Sequence, residues 1–277
     1  MKPAWIIALA IWQLAIISPA DAAECGSNGQ SLTTVSEVYP TSDVLPANLL
    51  RIYLYFSGPM RSDGNLDAIR LQDEQGNPVD GVFFKSRFEL WSEDRRRLTL
   101  LLDPGRVKTG LNAHEELGRA LGEGQEFSLV IGQDMIDSNG CTMAGEFVKT
   151  FTVGPEDKGI PDIDAWVMDV PRSSAREPLS VQLDGSYDHI ALAYRLRVVD
   201  EGGRSLPGAI DVGADESLWH FTPRADWAPG RYKLIIDPRL EDLAGNRPTG
   251  LFDDPTGQSR INQSIAKPYE IEFSPVE

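Results

Sequence analysis

The chain has 277 residues, a hydrophobic fraction of 41% and a formal net charge of −16 at pH 7. It is long enough to bury one large core or two ordinary ones. Its acidity argues against binding to nucleic acid or to anionic membrane surfaces, because both need clustered positive charge. The same acidity suits a soluble protein with a solvated acidic surface.

The first 22 residues have the pattern of a secretory signal peptide. Lys2 supplies a positive charge, Ala4–Ile17 is almost wholly apolar, and Ala20-Asp21-Ala22 places small residues where a signal peptidase cleaves. The alternative is a membrane anchor, but a spanning helix needs about 20 apolar residues and this run is shorter. We therefore expect an exported, periplasmic or extracellular protein with no transmembrane segment after signal removal.

The two cysteines, Cys25 and Cys141, both follow the predicted signal peptide. In an oxidising compartment two cysteines most simply form one disulfide. This disulfide would join the start of the mature chain to the Asp137–Gly140 turn. Two free thiols are the alternative, which export makes the weaker interpretation.

Most of the remaining chain consists of short apolar runs separated by Gly, Pro, Asn and Asp. Several runs alternate apolar and polar residues, which is typical of strands with one buried face. Ile52, Leu54 and Phe56, for example, would point the same way. Leu111–Leu121 is the best candidate for an amphipathic helix. Many short strands with frequent turns predict an all-β sandwich or barrel.

An internal repeat indicates two copies of one unit. Asp73–Gly81 and Asp200–Gly208 share the pattern D-E-x-G-x-x-[VL]-x-G, and each follows an apolar-Arg-apolar stretch. A second block, Phe127–Gly140, recurs in the same order as Tyr232–Gly245. The first copy has extra residues between its blocks, and these include the helix candidate.

The repeat predicts two domains, at residues 24–155 and 160–277. The linker near Gly154–Pro161 is rich in Gly, Pro and charge. It is short, so we expect the domains to hold a preferred mutual orientation. Each second block ends in an Asp-x-x-Gly turn, in which Asp caps its own backbone and Gly accepts a positive φ. The predicted turn residues are Asp137, Gly140, Asp242 and Gly245.

Leu54–Met60 is a predicted strand that ends in Phe-Ser-x-Pro-Met, and Gly124–Ile131 and Lys149–Val153 are later predicted strands. These segments resemble bacterial immunoglobulin-like domains of the S-layer-protein type. In the second copy, Trp219–Pro223 and Pro229–Ile236 resemble the same pattern. The resemblance implies two tandem immunoglobulin-like β-sandwich domains, with a short helix inserted in the first. It also implies modules that space, display or bind, and it carries no catalytic residues.

The residues that could support catalysis do not form a recognised pattern. His114, His189 and His220 lack the mutual spacing of a metal site. The chain has neither a G-x-S-x-G nucleophile elbow nor a G-x-x-x-x-G-K phosphate loop. We therefore predict that the protein is not an enzyme, and we assign no catalytic residue, cofactor or metal ligand.

Acidic clusters leave calcium as an alternative. Asp162, Asp164 and Asp169 lie near the linker, and Asp253-Asp254 lies in a loop. Calcium sites between tandem sandwiches draw carboxylates from such places, but no EF-hand loop is present. We interpret these carboxylates as part of a solvated acidic surface.

Aromatic and basic residues suggest two kinds of contact surface. An exposed strip of tryptophans could stack on sugar rings, although Trp commonly fills sandwich cores. We expect Trp219 to be buried and Trp227, which stands in a turn, to be the most exposed. Arg95–Arg97 follows Ser92-Glu93-Asp94 and predicts a hairpin with a charged tip that could contact a partner.

The sequence thus predicts an exported, non-catalytic structural or interaction protein that binds an envelope or secreted protein partner. The alternative is a carbohydrate- or calcium-dependent binding module. Exposed aromatic rings in one plane would favour the alternative. An exposed apolar patch or an open sheet edge would favour the protein-binding interpretation.

Overall fold

A computed structural model describes residues 25–26, 31–84, 88–109, 115, 118–254 and 256–277. The predicted signal peptide, residues 1–22, lies outside the described residues, as do His114 and most of the helix candidate Leu111–Leu121. Within the described part, no helix is long and apolar enough to cross a membrane.

Residues 35–154 form the first sandwich. Its strands are β1 (Val35–Tyr39), β2 (Val44–Pro46), β3 (Arg51–Phe56), β4 (Ile69–Asp73), β5 (Leu90–Trp91), β6 (Arg97–Leu101), β7 (Glu126–Ile131) and β8 (Phe147–Gly154). One sheet has the antiparallel order β1-β3-β6-β5. The other has the order β2-β8-β7-β4, in which only β2 runs parallel to its neighbour.

Residues 167–273 form the second sandwich. Its strands are β9 (Val167–Asp169), β10 (Leu179–Gln182), β11 (Leu196–Asp200), β12 (Gly208–Val212), β13 (Leu218–Pro223), β14 (Tyr232–Ile236) and β15 (Tyr269–Phe273). They form antiparallel sheets of order β9-β10-β13-β12 and β11-β14-β15. With strands lettered A to G, each sandwich has an ABED sheet facing a sheet built from C, F and G, which is the immunoglobulin arrangement.

Three described helices connect these strands. They are α1 (Pro104–Val107), α2 (His189–Arg195) and α3 (Gln258–Ile265). Single 3-10 turns lie at Leu66–Ala68, Ile163–Ala165 and Ala214–Glu216. Helix α1 lies in the insertion of the first sandwich, where Asp103 caps it by accepting a hydrogen bond from the Gly105 N–H. It precedes the helix candidate of the sequence.

The internal repeat corresponds to one pair of strands that both sandwiches contain. In the first, β4 pairs with β7 so that Asp73 lies opposite Phe127. In the second, β11 pairs with β14 so that Asp200 lies opposite Tyr232. The two repeat blocks are therefore the C and F strands, which are neighbours in the same sheet.

Each sandwich encloses its own hydrophobic core. Ile52, Leu54 and Phe56 are buried in the first core, as the alternation predicts. Tyr53 points the other way and is also buried. Its hydroxyl contacts Asp188 of the second sandwich, so the outer face of β3 is covered by the neighbouring unit.

The prediction for Trp227 is wrong. Trp219 is fully buried, as expected, but Trp227 exposes only 1% of its surface. Its indole N–H donates to the carbonyl oxygen of Glu177 at 2.8 Å, and its ring packs edge-on against Tyr232 and Phe273. A buried tryptophan needs a hydrogen-bond acceptor, and the tertiary fold supplies one from a distant strand connection.

The sandwiches differ at one sheet edge. In the second, strand β12 pairs with β13 over five residues. In the first, the corresponding strand β5 has only two residues. Further along the same edge, Phe83 forms an isolated β-bridge with Leu102. The Phe84 N–H also donates a hydrogen bond to the Leu101 carbonyl. The pairing of β5 with β6 therefore covers two residues, and Phe83 and Phe84 pair separately with Leu102 and Leu101.

A disulfide joins Cys25 to Cys141, as the sequence predicts, with Cα atoms 5.5 Å apart and a sequence separation of 116. Next to it, the Ser31 N–H donates to the Thr142 carbonyl at 2.7 Å. Cys25 and Ser31 are thus attached to the first sandwich beside the Asp137–Gly140 turn.

Reduction of the disulfide should lower the free energy of unfolding by about 4 kcal/mol, because the cross-link restricts the unfolded chain over a long loop. Denaturation of the mature protein with and without dithiothreitol measures this difference. The Cys25→Ser/Cys141→Ser variant is the control and should not respond to the reductant. Thiol labelling of the denatured, unreduced protein should find no free cysteine, and two labelled thiols per chain would contradict the disulfide.

Candidate functional site

The two sandwiches meet across a cluster of charged side chains. Arg51, at the start of β3, places Nη1 3.2 Å from Asp188 Oδ2 and 2.6 Å from Glu241 Oε2. Tyr53 donates its hydroxyl to Asp188 Oδ2 at 2.7 Å. On the far side, Arg247 Nε lies 3.0 Å from Glu241 Oε1. We call these five residues the junction cluster.

Burial strengthens the junction cluster because little water is present to replace its partners. Asp188 and Glu241 are only 5% and 8% exposed. Desolvation by itself lowers the pKa of Arg51, but the charges of Glu241 and Asp188 outweigh it and raise the pKa. Burial, followed by the charge of Asp188, raises the pKa of Tyr53. The guanidinium therefore stays charged and the phenol stays a donor.

Asp188 holds its position because it also caps helix α2. Its Oδ1 accepts a hydrogen bond from the Ala191 N–H at 2.8 Å, while Oδ2 faces Arg51 and Tyr53. An aspartate before a helix is a recognisable N-cap in a sequence. Nothing in the sequence pairs that cap with Arg51, so the junction cluster was not predicted.

A second buried carboxylate joins the sandwiches at Thr41. Glu216 is fully buried, and its carboxylate accepts the Thr41 N–H at 2.9 and 3.0 Å and the Thr41 hydroxyl at 2.8 Å. The N–H of Asp215 donates to Thr41 Oγ1 at 2.9 Å. Asp215 and Glu216 have φ values of 57° and 49°, which non-glycine residues seldom adopt. This unusual bend presents both groups to the first sandwich.

The linker is held from both sides. The Asn48 side chain donates to the Asp157 carbonyl at 2.8 Å and accepts from the Asp157 N–H at 2.8 Å. Asn246, from the second sandwich, donates to the same carbonyl at 3.1 Å. Both backbone groups of Asp157 are therefore paired, which fixes the point where the chain passes between the sandwiches.

The four predicted turn residues lie in two equivalent turns. Asp137 and Asp242 each accept hydrogen bonds from the backbone N–H groups two and four positions later. Gly140 and Gly245 have φ values of 86° and 79°. The first turn lies beside the disulfide, whereas the second faces the first sandwich across the junction.

Gly245 allows the second turn to approach the first sandwich closely. A Cβ at this position would lie 2.2 Å from Leu50 Cδ1. The Leu50 N–H donates to the Leu243 carbonyl at 3.1 Å, and the Leu243 side chain packs into the first core. A turn of the second sandwich therefore completes the core of the first.

Asp242 lies beside a cavity of about 150 Å³ at the junction. Burial, and then the negative charge of Asp157, raise the pKa of Asp242 to about 7. Hydrogen bonds from Asn246 and Ala244 oppose this rise but do not cancel it. The carboxyl group is therefore half protonated near neutral pH, unlike an exposed aspartate.

Aromatic rings surround His189 on one side of the junction. Its ring stacks on Tyr39 with centroids 3.6 Å apart and meets Tyr55 edge-on at 5.8 Å. Burial lowers the pKa of His189, and its Nδ1 has no hydrogen-bond partner within the described part of the chain. The neutral imidazole of His189 is thus packed between the sandwiches and contributes to their contact.

The predicted Arg95–Arg97 hairpin lies beside the junction. Strands β5 and β6 pair, and the turn between them is closed by the Ser92 N–H donating to the Arg97 carbonyl at 2.8 Å. A groove of about 800 Å³ runs from this turn to Tyr194 of α2, which is 74% exposed. We call it the junction groove; it is lined by Tyr55, Phe56, Glu93, Arg96, Arg97 and Tyr194.

Three residues resemble a Ser-His-Asp catalytic arrangement, but free N–H groups that could stabilise an oxyanion do not accompany them. Ser180, His220 and Asp211 are cross-strand neighbours on β10, β13 and β12, and Ser180 Oγ lies 2.8 Å from His220 Nδ1. The row lies in the middle of a paired sheet. Backbone N–H groups there serve the strand ladder, so they are not free to stabilise an oxyanion.

The carboxylates of the acidic clusters lie in separate places and make separate contacts. Asp162 accepts from the Asp164 N–H at 3.1 Å, Asp169 lies in β9, and Asp253 accepts from the hydroxyl of Thr109 at 2.8 Å. Among the described residues, no group of three or more His, Cys, Asp or Glu side chains is placed to hold a metal ion.

No family model and no curated protein matches the chain. Solved structures similar to it include the MG0-NIE-MG1 domains of native α-2-macroglobulin from Escherichia coli, with 16% identity and a TM-score of 0.29 over 77% of this chain and 67% of that one. A surface-layer protein has 9% identity and a TM-score of 0.31 over 88% of this chain and 41% of its own length. Titin tandem immunoglobulin domains A164-A165 have 11% identity and a TM-score of 0.23 over 84% and 90%.

These neighbours are likewise immunoglobulin-like or β-sandwich proteins. Their identities and TM-scores are too low to support an argument about function. The strand order of the two sheets in each sandwich places this chain among proteins with the immunoglobulin-like fold.

Loss of the central cation should destabilise the junction. Arg51→Met leaves Asp188 and Glu241 buried without their shared partner, so we expect the free energy of unfolding to fall by about 3–5 kcal/mol. Arg231→Met is the control, because Arg231 and its partner Glu201 are 71% and 65% exposed. It should cost less than about 1 kcal/mol. Urea denaturation measures both variants, and equal losses would contradict a special role for Arg51.

The contribution of Asp242 to stability should fall as the pH rises from about 4 to 7. Asp242 has a pKa of about 7 in the folded protein, against about 3.9 in an unfolded chain. The folded state therefore binds more protons in this interval and loses stability as the proton leaves. Asp242→Asn cannot titrate, so denaturation between pH 4 and 8 should show a shallower decline. Glu216, whose pKa burial also raises, acts in the same direction, whereas the lowered pKa of His189 acts in the opposite one. An unchanged slope in the variant would contradict the assignment to Asp242.

Proposed function

We propose that this is an exported, non-catalytic interaction protein that binds a protein of the envelope or a secreted protein. Its two immunoglobulin-like modules, at residues 24–155 and 160–277, act as one unit. The junction cluster is the observation that carries the proposal. A partner that spans both modules meets a preformed surface and does not have to order two independent halves.

The contacts around the junction cluster support a fixed orientation. Relative motion is the usual expectation for neighbouring domains unless their interface is large and well packed. Here Glu216 and Asp188 would lose buried hydrogen bonds if the modules separated, and Leu243 would leave the first core. Each of these losses opposes separation, because unpaired buried polar groups are costly.

The junction groove is the proposed contact surface. It combines Arg96 and Arg97 with Tyr55 and the exposed Tyr194. Arginine and tyrosine are the residue types that most often dominate binding energy at protein interfaces. Because Tyr194 comes from the second module and the other lining residues come from the first, the shape of the groove depends on the orientation of the modules.

Different features support export and the lack of catalytic activity. The signal-peptide pattern of residues 1–22 and a disulfide at Cys25–Cys141 both suit an oxidising compartment. Ser180 and His220 lie on a flat sheet face that offers no oxyanion donors. The four tryptophans after residue 22 are not exposed, which removes the aromatic strip that a sugar-binding face would need.

Crosslinking of the mature protein in its own cell envelope, followed by mass spectrometry, tests this function. We expect one protein partner in stoichiometric yield. Tyr194→Ser should reduce that yield at least tenfold, because it removes the exposed ring of the groove. Val167→Ser is the matched control, since Val167 is 66% exposed on β9, outside the groove, and it should keep the full yield.

Two outcomes would contradict the proposal. Retention on cell-wall or polysaccharide material without a protein partner would favour glycan binding. Equal yields from the wild type and the Tyr194→Ser variant would place the contact surface elsewhere than the junction groove.

A further inference from the structure

Strand β12 is the last strand of its sheet and leaves one edge of its backbone free. It pairs with β13 over residues Gly208–Val212 and with no other described strand. The first four of these residues are exposed, so neither a loop nor a helix covers the edge there. Such an edge presents a row of unpaired N–H and C=O groups to which another extended chain can pair.

The hydrogen bonds that flank β12 show which of its backbone groups are free. At one end, the Gly213 N–H donates to the Leu218 carbonyl at 2.8 Å. At the other end, the Arg224 N–H donates to the Pro207 carbonyl at 3.0 Å. Antiparallel ladders alternate, so every second residue between these two bonds turns its N–H and C=O away from β13. These outward-facing residues are Gly208, Ile210 and Val212. Their backbone groups have no other hydrogen-bond partner in the described part of the chain.

The two faces of β12 offer different side chains to an added strand. Ile210 lies opposite Phe221 on the core side, yet it is 38% exposed. Asp211 lies opposite His220 on the outer side, is exposed, and has no ion-pair partner among the described residues. Residues that lie opposite each other in an antiparallel pair share a face. An added strand would therefore place an apolar side chain beside Ile210 and a cation beside Asp211.

The charge of the chain decides between a second copy and a different protein. Each chain carries a net charge of −16, so two copies that paired through β12 would repel each other, whereas a basic segment would be attracted. Strand addition is a recurring mode of peptide recognition, in which main-chain hydrogen bonds give affinity and alternate side chains give specificity. The occupant that fits β12 is thus an extended segment in which apolar and basic residues alternate.

We propose that β12 binds such a segment of a protein partner by antiparallel strand addition. The segment hydrogen-bonds to the free groups of Gly208, Ile210 and Val212. Its apolar side chains face Ile210, and its Lys or Arg side chains face Asp211. Helix α2, which carries Tyr194, lies beside β12, so one partner can contact both the edge and the junction groove. The assignment of the segment to the envelope or secreted partner rests on the proposed function, whereas the strand addition does not.

Titration of the mature protein with a rhodamine-labelled Lys-Val-Lys-Val-Lys-Val peptide tests the edge, with fluorescence anisotropy as the readout. We expect saturable binding of one peptide per chain. In the proposed pairing the valines face Ile210, and their N–H groups point at β12. N-methylation of the three valines should therefore weaken binding at least tenfold, whereas N-methylation of the three lysines, the matched control, should not. Replacement of the lysines by glutamate should also weaken binding at least tenfold, because the peptide is then repelled.

Variants of Ile210 locate the binding on the protein. Ile210→Pro removes the outward N–H at the centre of the edge and leaves the ladder to β13 intact, as proline on an edge strand does when its nitrogen faces solvent. It should weaken peptide binding at least tenfold. Ile210→Ala is the matched control, because it shortens the side chain and keeps the N–H, and it should bind more tightly than Ile210→Pro. If Ile210→Pro does not fold, the two N-methylated peptides test the same hydrogen bonds from the other side.

Several results would overturn the proposal. They are no saturable binding, equal binding of the two N-methylated peptides, and equal binding of the Lys-Val peptide by folded Ile210→Pro and Ile210→Ala. None of them depends on the envelope crosslinking, in which Tyr194→Ser tests the junction groove. The strand addition and the proposed function can therefore fail separately.

Discussion

The rest of the junction depends on the burial of Arg51 between two carboxylates. A guanidinium that leaves water needs its counter-charges in place, and Asp188 and Glu241 both come from the other sandwich. The cap of helix α2, the hydroxyl of Tyr53 and the turn that carries Leu243 into the first core are all arranged around this requirement. Two folded units are thereby constrained to one relative position.

The two sandwiches share one strand arrangement but present different surfaces. The C and F strands have the same register in both sandwiches, and the same Asp-x-x-Gly turn follows each F strand. Asp137 of the first turn lies beside the disulfide, whereas Asp242 of the second is buried against the neighbouring unit. The D strands differ as well, since β12 pairs with β13 over five residues and β5 pairs with β6 over two.

Sequence patterns predicted the parts of the fold that depend on neighbours along the chain. Alternation in β3 identified its buried face, the repeat indicated two copies of one unit, and Cys25 and Cys141 were expected to pair. Trp227 was misjudged because its position in a turn suggested exposure, although its ring fills the second core. The junction cluster was missed, and of the junction groove only the Arg95–Arg97 hairpin was predicted. Arg51 and Tyr194 carry no local signal that distinguishes them from other polar or surface residues.

The sequence by itself determined an all-β chain with duplicated segments, because side-chain alternation and turn chemistry act over a few residues. The tertiary structure alone decided which strands pair, which carboxylates meet Arg51, and where Arg96 and Tyr194 form a groove. These features join groups that are distant in sequence. Their positions follow from how two sheets pack and how two sandwiches dock, which no short stretch of residues encodes.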